Sequence, residues 1–264
     1  MKFLIKLFIL FLIVSCKSDP KDDKAASETQ SKNKIKSECP VEITPIAHAT
    51  FVMKWSDEVI YVDPTGGAKA FNGMPEPDLV FITDIHGDHL NVETLQALPQ
   101  PYDVVAPKAV YDKLPKSIQN RTKILSNGDE FTFHSFNIRG IPMYNITKER
   151  LKYHEKGRGN GYVIAKEGFK LYISGDTEAI PEMKKLENID LAFICMNLPY
   201  TMSPEMAAEA VLSFKPKKLL PYHYRGLKDD KPHFYDIEKF KDLVMSQNDA
   251  INVNLLDWYP NQSI

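Results

Sequence analysis

The stretch Asp84-Ile85-His86-Gly87-Asp88-His89-Leu90 sets two imidazoles and two carboxylates within six positions. It directly follows the apolar run Leu79-Val80-Phe81-Ile82-Thr83, whose length fits a buried strand. The cluster then falls on the loop at a strand end, where a rigid sheet holds functional side chains. Imidazole nitrogen and carboxylate oxygen are the usual donors to Zn, Mn or Fe ions. The plain alternative is a polar turn capping the helix that starts near Asn91, but a turn does not need two His and two Asp together. Two later spots repeat the arrangement. Phe169-Lys170-Leu171-Tyr172-Ile173-Ser174 ends in Gly175-Asp176-Thr177, and Leu219-Leu220-Pro221-Tyr222 ends in His223-Tyr224-Arg225. In each, a potential ligand follows a buried strand, so the three strand ends are expected to converge on one site.

The elements that must position these groups follow from periodicity. Val41 to Met53 alternates loosely and pairs with Val59-Ile60-Tyr61-Val62 across a Ser56-Asp57 turn, a hairpin signature. Helices are expected over Val92 to Leu98 and Val110 to Leu114, with a short strand at Val104-Val105-Ala106 between them. Glu130 to Ile138 reads as one alternating strand, and Gly161 to Ala165 with Lys170 to Ser174 as a hairpin pair. Ser203-Pro204-Glu205 opens a helix with a capping Ser, a first-turn Pro and an acid. Lys218 to Tyr222 reads as a strand, Asp236 to Met245 as a helix and Val253 to Trp258 as a final strand. Hairpins in each half, with helices between the later strands, suggest two sheets covered outside by helices.

The 264-residue chain carries a formal charge of −2, with no basic stripe that would mark a nucleic-acid partner. Its first residues run Met1-Lys2, then almost wholly apolar from Phe3 to Val14, then Ser15-Cys16. That is the plan of an export signal, and the run is too short to span a bilayer as a permanent anchor. The ending Ile13-Val14-Ser15-Cys16 resembles the bacterial lipobox. The resemblance implies a signal peptide over 1–15, lipidation of Cys16, and a protein held at the cell envelope by its lipid. Residues 16–39 are rich in Lys, Asp, Ser and Glu and read as a solvated tether, leaving 40–264 as one domain. Of the two later cysteines, Cys195 reads as a core thiol. A Cys39–Cys195 disulfide is open, because spacing says nothing about its geometry.

Taken together, the chain resembles the metallo-β-lactamase fold superfamily, in its branch of broad-specificity hydrolases that includes ascorbate-phosphate lactonase-like proteins. The likeness runs from Val41 to Trp258. It rests on Ala47-His48-Ala49-Thr50-Phe51, Val62-Asp63-Pro64, the His-x-His-x-Asp-His signature at 84–89, Gly175-Asp176-Thr177 and Pro221-Tyr222-His223-Tyr224. It implies an α/β fold, a four-layer αββα sandwich with a metal site at one sheet edge. Two departures stand out. The first His of the signature is Asp84 here, and the middle ligand His expected after Pro142 is Asn145. Both fall on the same metal. The first position would keep Asp84, His86, Asn145 and the bridging Asp176; the second would hold Asp88, His89, Asp176 and His223. A supporting role for Asp84, orienting a ligand imidazole from behind, is the alternative. For Asn145 the alternative is a contact to substrate or structure.

Oxygen donors suit Mn or Mg, and Fe is possible, while the His-rich set suits Zn. One tight Zn at the second position, with a weaker or different ion at the first, is therefore expected. The implied function is metal-dependent hydrolysis: a metal-bound hydroxide attacks an ester, lactone, phosphodiester or amide in a small-molecule substrate. Asp88 would orient the nucleophile. His154, in the Gly-rich segment Tyr153 to Gly161, could protonate the leaving group or touch substrate. His48 could sit beneath the metals or simply end a strand. Arg158 and Arg225 could bind an anionic group, or be solvated surface residues. The three-His first site of true lactamases is absent, which argues against β-lactam hydrolysis. The competing function is a non-catalytic metal- or ligand-binding lipoprotein on a degenerate hydrolase fold.

Overall fold

The computed structural model describes residues 39–260. The expected signal peptide, the lipidation site Cys16 and nearly all of the tether lie outside the described residues. A six-stranded sheet is built from β1 (Val41–Ala47), β2 (Thr50–Trp55), β3 (Glu58–Val62), β4 (Leu79–Phe81), β5 (Asp103–Ala106) and β6 (Thr122–Ile124), in that order. Strands β1 to β3 are antiparallel; β3 to β6 run parallel. Three short helices accompany the parallel part: α1 (Val92–Ala97), α2 (Lys108–Tyr111) and α3 (Lys116–Gln119).

The second sheet repeats the scheme. It comprises β7 (Glu130–Phe133), β8 (Phe136–Met143), β9 (Gly159–Lys166), β10 (Phe169–Ile173), β11 (Leu191–Cys195), β12 (Lys218–Tyr222) and, last in the chain, β15 (Asn252–Val253), in the order β15-β12-β11-β10-β9-β8-β7. An antiparallel meander again gives way to parallel pairing from β10 onward. Helices α4 (Pro181–Lys184), α5 (Pro204–Phe214) and α6 (Ile237–Met245) connect its parallel strands, and β13 (Arg225–Lys228) with β14 (Lys231–Phe234) forms a separate hairpin.

Period-2 alternation decides which face each side chain serves. Phe51, Met53, Ile60, Val62, Leu79, Phe81 and Val105 point inward, against Tyr162, Ile164, Leu171, Ile173 and Phe193 of the second sheet. Phe51 stacks on Phe193 at 4.4 Å between ring centroids, and Phe81 meets Tyr162 at 4.7 Å. The alternate residues Val52, Val59, Tyr61, Val80 and Val104 turn outward and pack with Leu95, Val110 and Ile118 of α1, α2 and α3. On the far side, Ala207, Val211, Phe214, Phe240 and Val244 bring α5 and α6 onto the second sheet. Four layers result, αββα, as the sequence pattern implies.

Local corrections concern turns. Val41 to Met53 is two strands, because His48 takes a left-handed φ of 59° and reverses the chain. Glu130 to Ile138 divides likewise at His134, φ 46°. The strand expected over Val253 to Trp258 shrinks to Asn252–Val253. Ser203 caps α5 by accepting from the Met206 amide, and Asp236 caps α6 through the Lys239 amide. Cys39 and Cys195 are both free thiols. Burial pushes the Cys195 thiol up to about 12, so it packs as a neutral group.

Candidate metal centre

Strand direction brings the chemistry to one edge. The C-terminal ends of β1, β3, β4, β8, β10, β11 and β12 open onto the same side, which is where parallel sheets present their loops. His48 follows β1, Asp63 follows β3, the 84–89 cluster follows β4, Asn145 follows β8, Asp176 follows β10 and His223 follows β12.

Asp88, His89, Asp176 and His223 form a set of donors. His223 Nε2 stands 3.2 Å from His89 Nε2, 3.3 Å from Asp176 Oδ1 and 3.4 Å from Asp88 Oδ2. His89 Nε2 is 3.5 Å from Asp176 Oδ2. Four donors bound to one ion at about 2.0–2.1 Å in tetrahedral geometry stand roughly 3.4 Å apart, whereas hydrogen bonds of this kind close to about 2.7–3.2 Å. Three of the four side chains are buried, and Asp88 is 42 % exposed at the mouth. Asp176 Oδ1 has no hydrogen-bond partner although it is buried, and such an orphaned carboxylate oxygen asks for a cation. The residues present therefore fit a metal ion.

Each ring is fixed from behind. Asp63, fully buried, faces His89 Nδ1 at 2.8 Å and accepts from the amide and hydroxyl of Thr83 at 2.7 and 2.6 Å. This leaves His89 Nε2 to face the centre. The amide of Asn197 abuts His223 Nδ1 at 3.1 Å. Burial works against charge on His89, but Asp176, Asp88 and Asp63 outweigh it and raise its pKa well above the usual value. A field that holds a proton so firmly would hold a divalent cation too. Burial also opposes ionisation of Asp88 and Asp176. The surrounding imidazoles win in both cases and keep these carboxyls far below the ordinary range.

His48 lies beside the set, its ring 3.8 Å from that of His223, with Nε2 3.2 Å from Asp88 Oδ2 and Nδ1 2.7 Å from the Tyr259 hydroxyl. Burial, then the neighbouring His223, lowers its pKa to about 4. The ring is thus neutral at pH 7. Because the Asp88 carboxylate can only accept, Nε2 of His48 carries the hydrogen and Nδ1 accepts from Tyr259.

The altered side of the centre is arranged differently from expectation. Asp84 is wholly buried and clamped by Arg158, which donates from Nε to Oδ1 at 3.1 Å and from Nη2 to Oδ2 at 2.9 Å. Asp84 Oδ2 also lies 2.8 Å from His86 Nδ1. Asn145 makes close contacts to the protein. Its amide nitrogen donates to the carbonyls of Arg150 and Tyr200 at 2.9 and 2.7 Å, and its oxygen faces His154 Nδ1 at 3.4 Å. The amide nitrogen of Asn145 is thus spent on protein. His154 is buried, with Nε2 3.4 Å from Asp176 Oδ2. Asp84, His86 and His154 bring one donor atom each within 4.8 Å of one another. Arg225 lies over the Tyr259 ring at 5.7 Å. Asp63, Asn197 and Tyr259 were not singled out from sequence. Only Asp63 left a signal, in Val62-Asp63-Pro64 at a strand end.

Comparison with known proteins agrees with this architecture. The family described as Beta-lactamase superfamily domain matches residues 42–223. A UPF0173 metal-dependent hydrolase of Thermococcus onnurineus is 31% identical over 219 residues, 80% of this chain and 95% of that protein. The crystal structure of a protein described as a metal-dependent hydrolase from Parabacteroides distasonis superposes with a TM-score of 0.71 at 36% identity, covering 82% of this chain and 94% of the other. Igni18, a metallo hydrolase of Ignicoccus hospitalis, shares the fold at 22% identity with a TM-score of 0.68, over 85% and 97% of the two chains. On its sequence and its fold alike, this chain belongs to the beta-lactamase superfamily, among the UPF0173 metal-dependent hydrolases.

Proposed function

We propose that this hydrolase cleaves an ester, lactone, phosphodiester or amide bond of a small molecule, with Zn held by Asp88, His89, Asp176 and His223. The carrying observation is that His89, Asp176 and His223 bring buried donor atoms together, with Asp88 3.4 Å from His223 at the mouth and Asp176 Oδ1 making no hydrogen bond. A bound ion of this kind lowers the pKa of its water to about 7 and polarises a carbonyl or phosphoryl oxygen. The protein's own part is positional. Asp88, half-exposed and ionised, can accept a hydrogen bond from the attacking water. Neutral His48 keeps that carboxylate oriented through Nε2–H. Exposure of Asp88 and His86, 42 and 40 %, leaves substrate an approach from that side. The lactone option draws on the likeness of 47–51 and 221–224 to the lactonase-like branch.

The test is turnover of p-nitrophenyl acetate and bis(p-nitrophenyl) phosphate by chelator-stripped protein before and after reloading with Zn or Mn. Metal-dependent turnover of either, lowered by more than about 100-fold in His223→Ala, is expected. Protein that binds metal but turns over neither would favour the non-catalytic binding reading, which the Arg158 clamp on Asp84 supports. Export and lipid anchoring at the cell envelope belong to the same proposal, on the pattern of residues 1–16 alone. Cys16→Ser should then move the protein from the membrane fraction to the soluble one. Among the described residues no helix is long and apolar enough to cross a membrane.

A further inference from the structure

Three buried histidines surround Asp176 in one pattern. His89 has Nδ1 held by Asp63 at 2.8 Å and Nε2 at 3.5 Å from Asp176 Oδ2. His223 has Nδ1 against Asn197 at 3.1 Å and Nε2 at 3.3 Å from Asp176 Oδ1. His154 has Nδ1 facing Asn145 Oδ1 at 3.4 Å and Nε2 at 3.4 Å from Asp176 Oδ2. Each ring is at most 1% exposed. In His89 and His223, Nδ1 is engaged by a side chain behind the ring; in His154, Asn145 Oδ1 stands behind Nδ1 at longer range, and in all three Nε2 is aimed at the shared carboxylate. His154 Nε2 is too far from Asp176 for a good hydrogen bond and at the right separation for two donors to one ion.

We propose that His154 is a metal ligand. With His86 and the bridging Asp176 it forms the first metal position, and Asn145 positions its ring instead of ligating. The proposal rests on the hydrolase reading only in requiring that the centre bind metal. Its chemistry follows from the loop. Asn145 ends the β8 edge, and the chain returns through residues 146–153 to put an imidazole beside the place that the Asn145 amide leaves unfilled. The Asn145 amide donates to His154 O at 2.9 Å, tying the two residues together through backbone as well as side chain. Asp84 then serves His86, whose Nδ1 it faces at 2.8 Å, while Arg158 neutralises the buried carboxylate. A guanidinium this close to a cation position weakens binding there, so the first position should fill only at higher metal concentration than the second.

A proton donor at residue 154 and a ligand there make different predictions for metal content. The test is equilibrium dialysis of the chelator-stripped full chain against Co(II) or Mn(II), with metal quantified by mass spectrometry. Wild type, His154→Ala, Asn145→Ala and His223→Ala are compared, with circular dichroism to check folding. Wild type should take up about two equivalents at saturation, and His154→Ala about one. Asn145→Ala should weaken the looser ion by about 10-fold or more without abolishing it, as loss of an orienting partner does. Unchanged uptake and unchanged affinity in His154→Ala would overturn the assignment. So would a wild type that takes up a single ion which His223→Ala loses and His154→Ala keeps. If no variant, wild type included, binds metal, the hydrolase reading itself fails, and that result is separate from the other two.

Discussion

Asp63 shows how one residue can govern a centre it never faces. It is fully buried, accepts two bonds from Thr83, and fixes the Nδ1 of His89. Asp63→Ala should leave the fold recognisable by circular dichroism but weaken metal binding by about 10- to 100-fold, measured by competition against a chromogenic chelator. Unchanged affinity would mean that the His89 ring needs no support. The candidate ligands Asp88 and His89, Asp176, and His223 were legible because each follows an apolar run that reads as a strand. His154 was legible as a loop histidine but not as a neighbour of Asp176. Nothing in Tyr153-His154-Glu155 says how far residues 146–153 fold back. The contacts of Asn145 were hidden for the converse reason, since a family position shows where a side chain starts and not where its amide nitrogen is spent. Partners such as Asn197 and Tyr259 leave no local signal, because their contacts span 26 and 211 positions.

At the scale of elements, the segment after β8 depends on Glu178. This buried carboxylate accepts from the amides of Ile146 and Thr147 at 2.7 and 2.6 Å and from Arg150 Nη1 at 2.6 Å. It thereby ties the loop carrying Asn145 to the strand end carrying Asp176. Burial opposes its ionisation, but Thr147, Arg150 and Ile146 together outweigh that and lower its pKa. A carboxyl whose folded pKa is depressed contributes stability that is present above its unfolded pKa, about 4.3, and is lost as pH falls through the folded value. Glu178→Gln should therefore cost about 2–3 kcal/mol in urea unfolding at pH 7, and the difference from wild type should shrink below pH 4. A gap that held constant into acid would refute the ionic role. The long elements were legible from alternation and caps; the reversals at His48 and His134 were not, since neither carries a Gly, Asn or Asp turn marker. The hairpin β13–β14 could have been found. Asp229-Asp230 joins paired Lys228 and Lys231 with φ of 52° and 57°, the two-residue turn that Asp tolerates.

Across the whole molecule, the centre lies where two sheets end together. The first sheet delivers His86, Asp88 and His89 through β4. The second delivers Asp176 and His223 through β10 and β12, and its β8–β9 loop brings His154. Other polar links cross at this edge: Arg158 clamps Asp84, Asn160 donates its backbone amide to Thr83 O at 2.9 Å, and Tyr162 donates its hydroxyl to Ile82 O at 2.7 Å. The approach is close enough that a Cβ on Gly159 would meet the Thr83 carbonyl at 2.9 Å. A metal shared by both sheets is therefore a cross-link as well as a reagent, since it would join Asp88 and His89 of the first sheet to Asp176 and His223 of the second. An ion present at about 1,000 times its dissociation constant adds about 4 kcal/mol to the folded state, which for a domain of this size raises the melting temperature by roughly 8–16 °C. Thermal unfolding with and without chelator should show that shift, growing with the logarithm of metal concentration and shrinking in His223→Ala. Identical melting curves would mean that the sheets are held at this edge by their apolar seam and these polar links, and that no ion joins them.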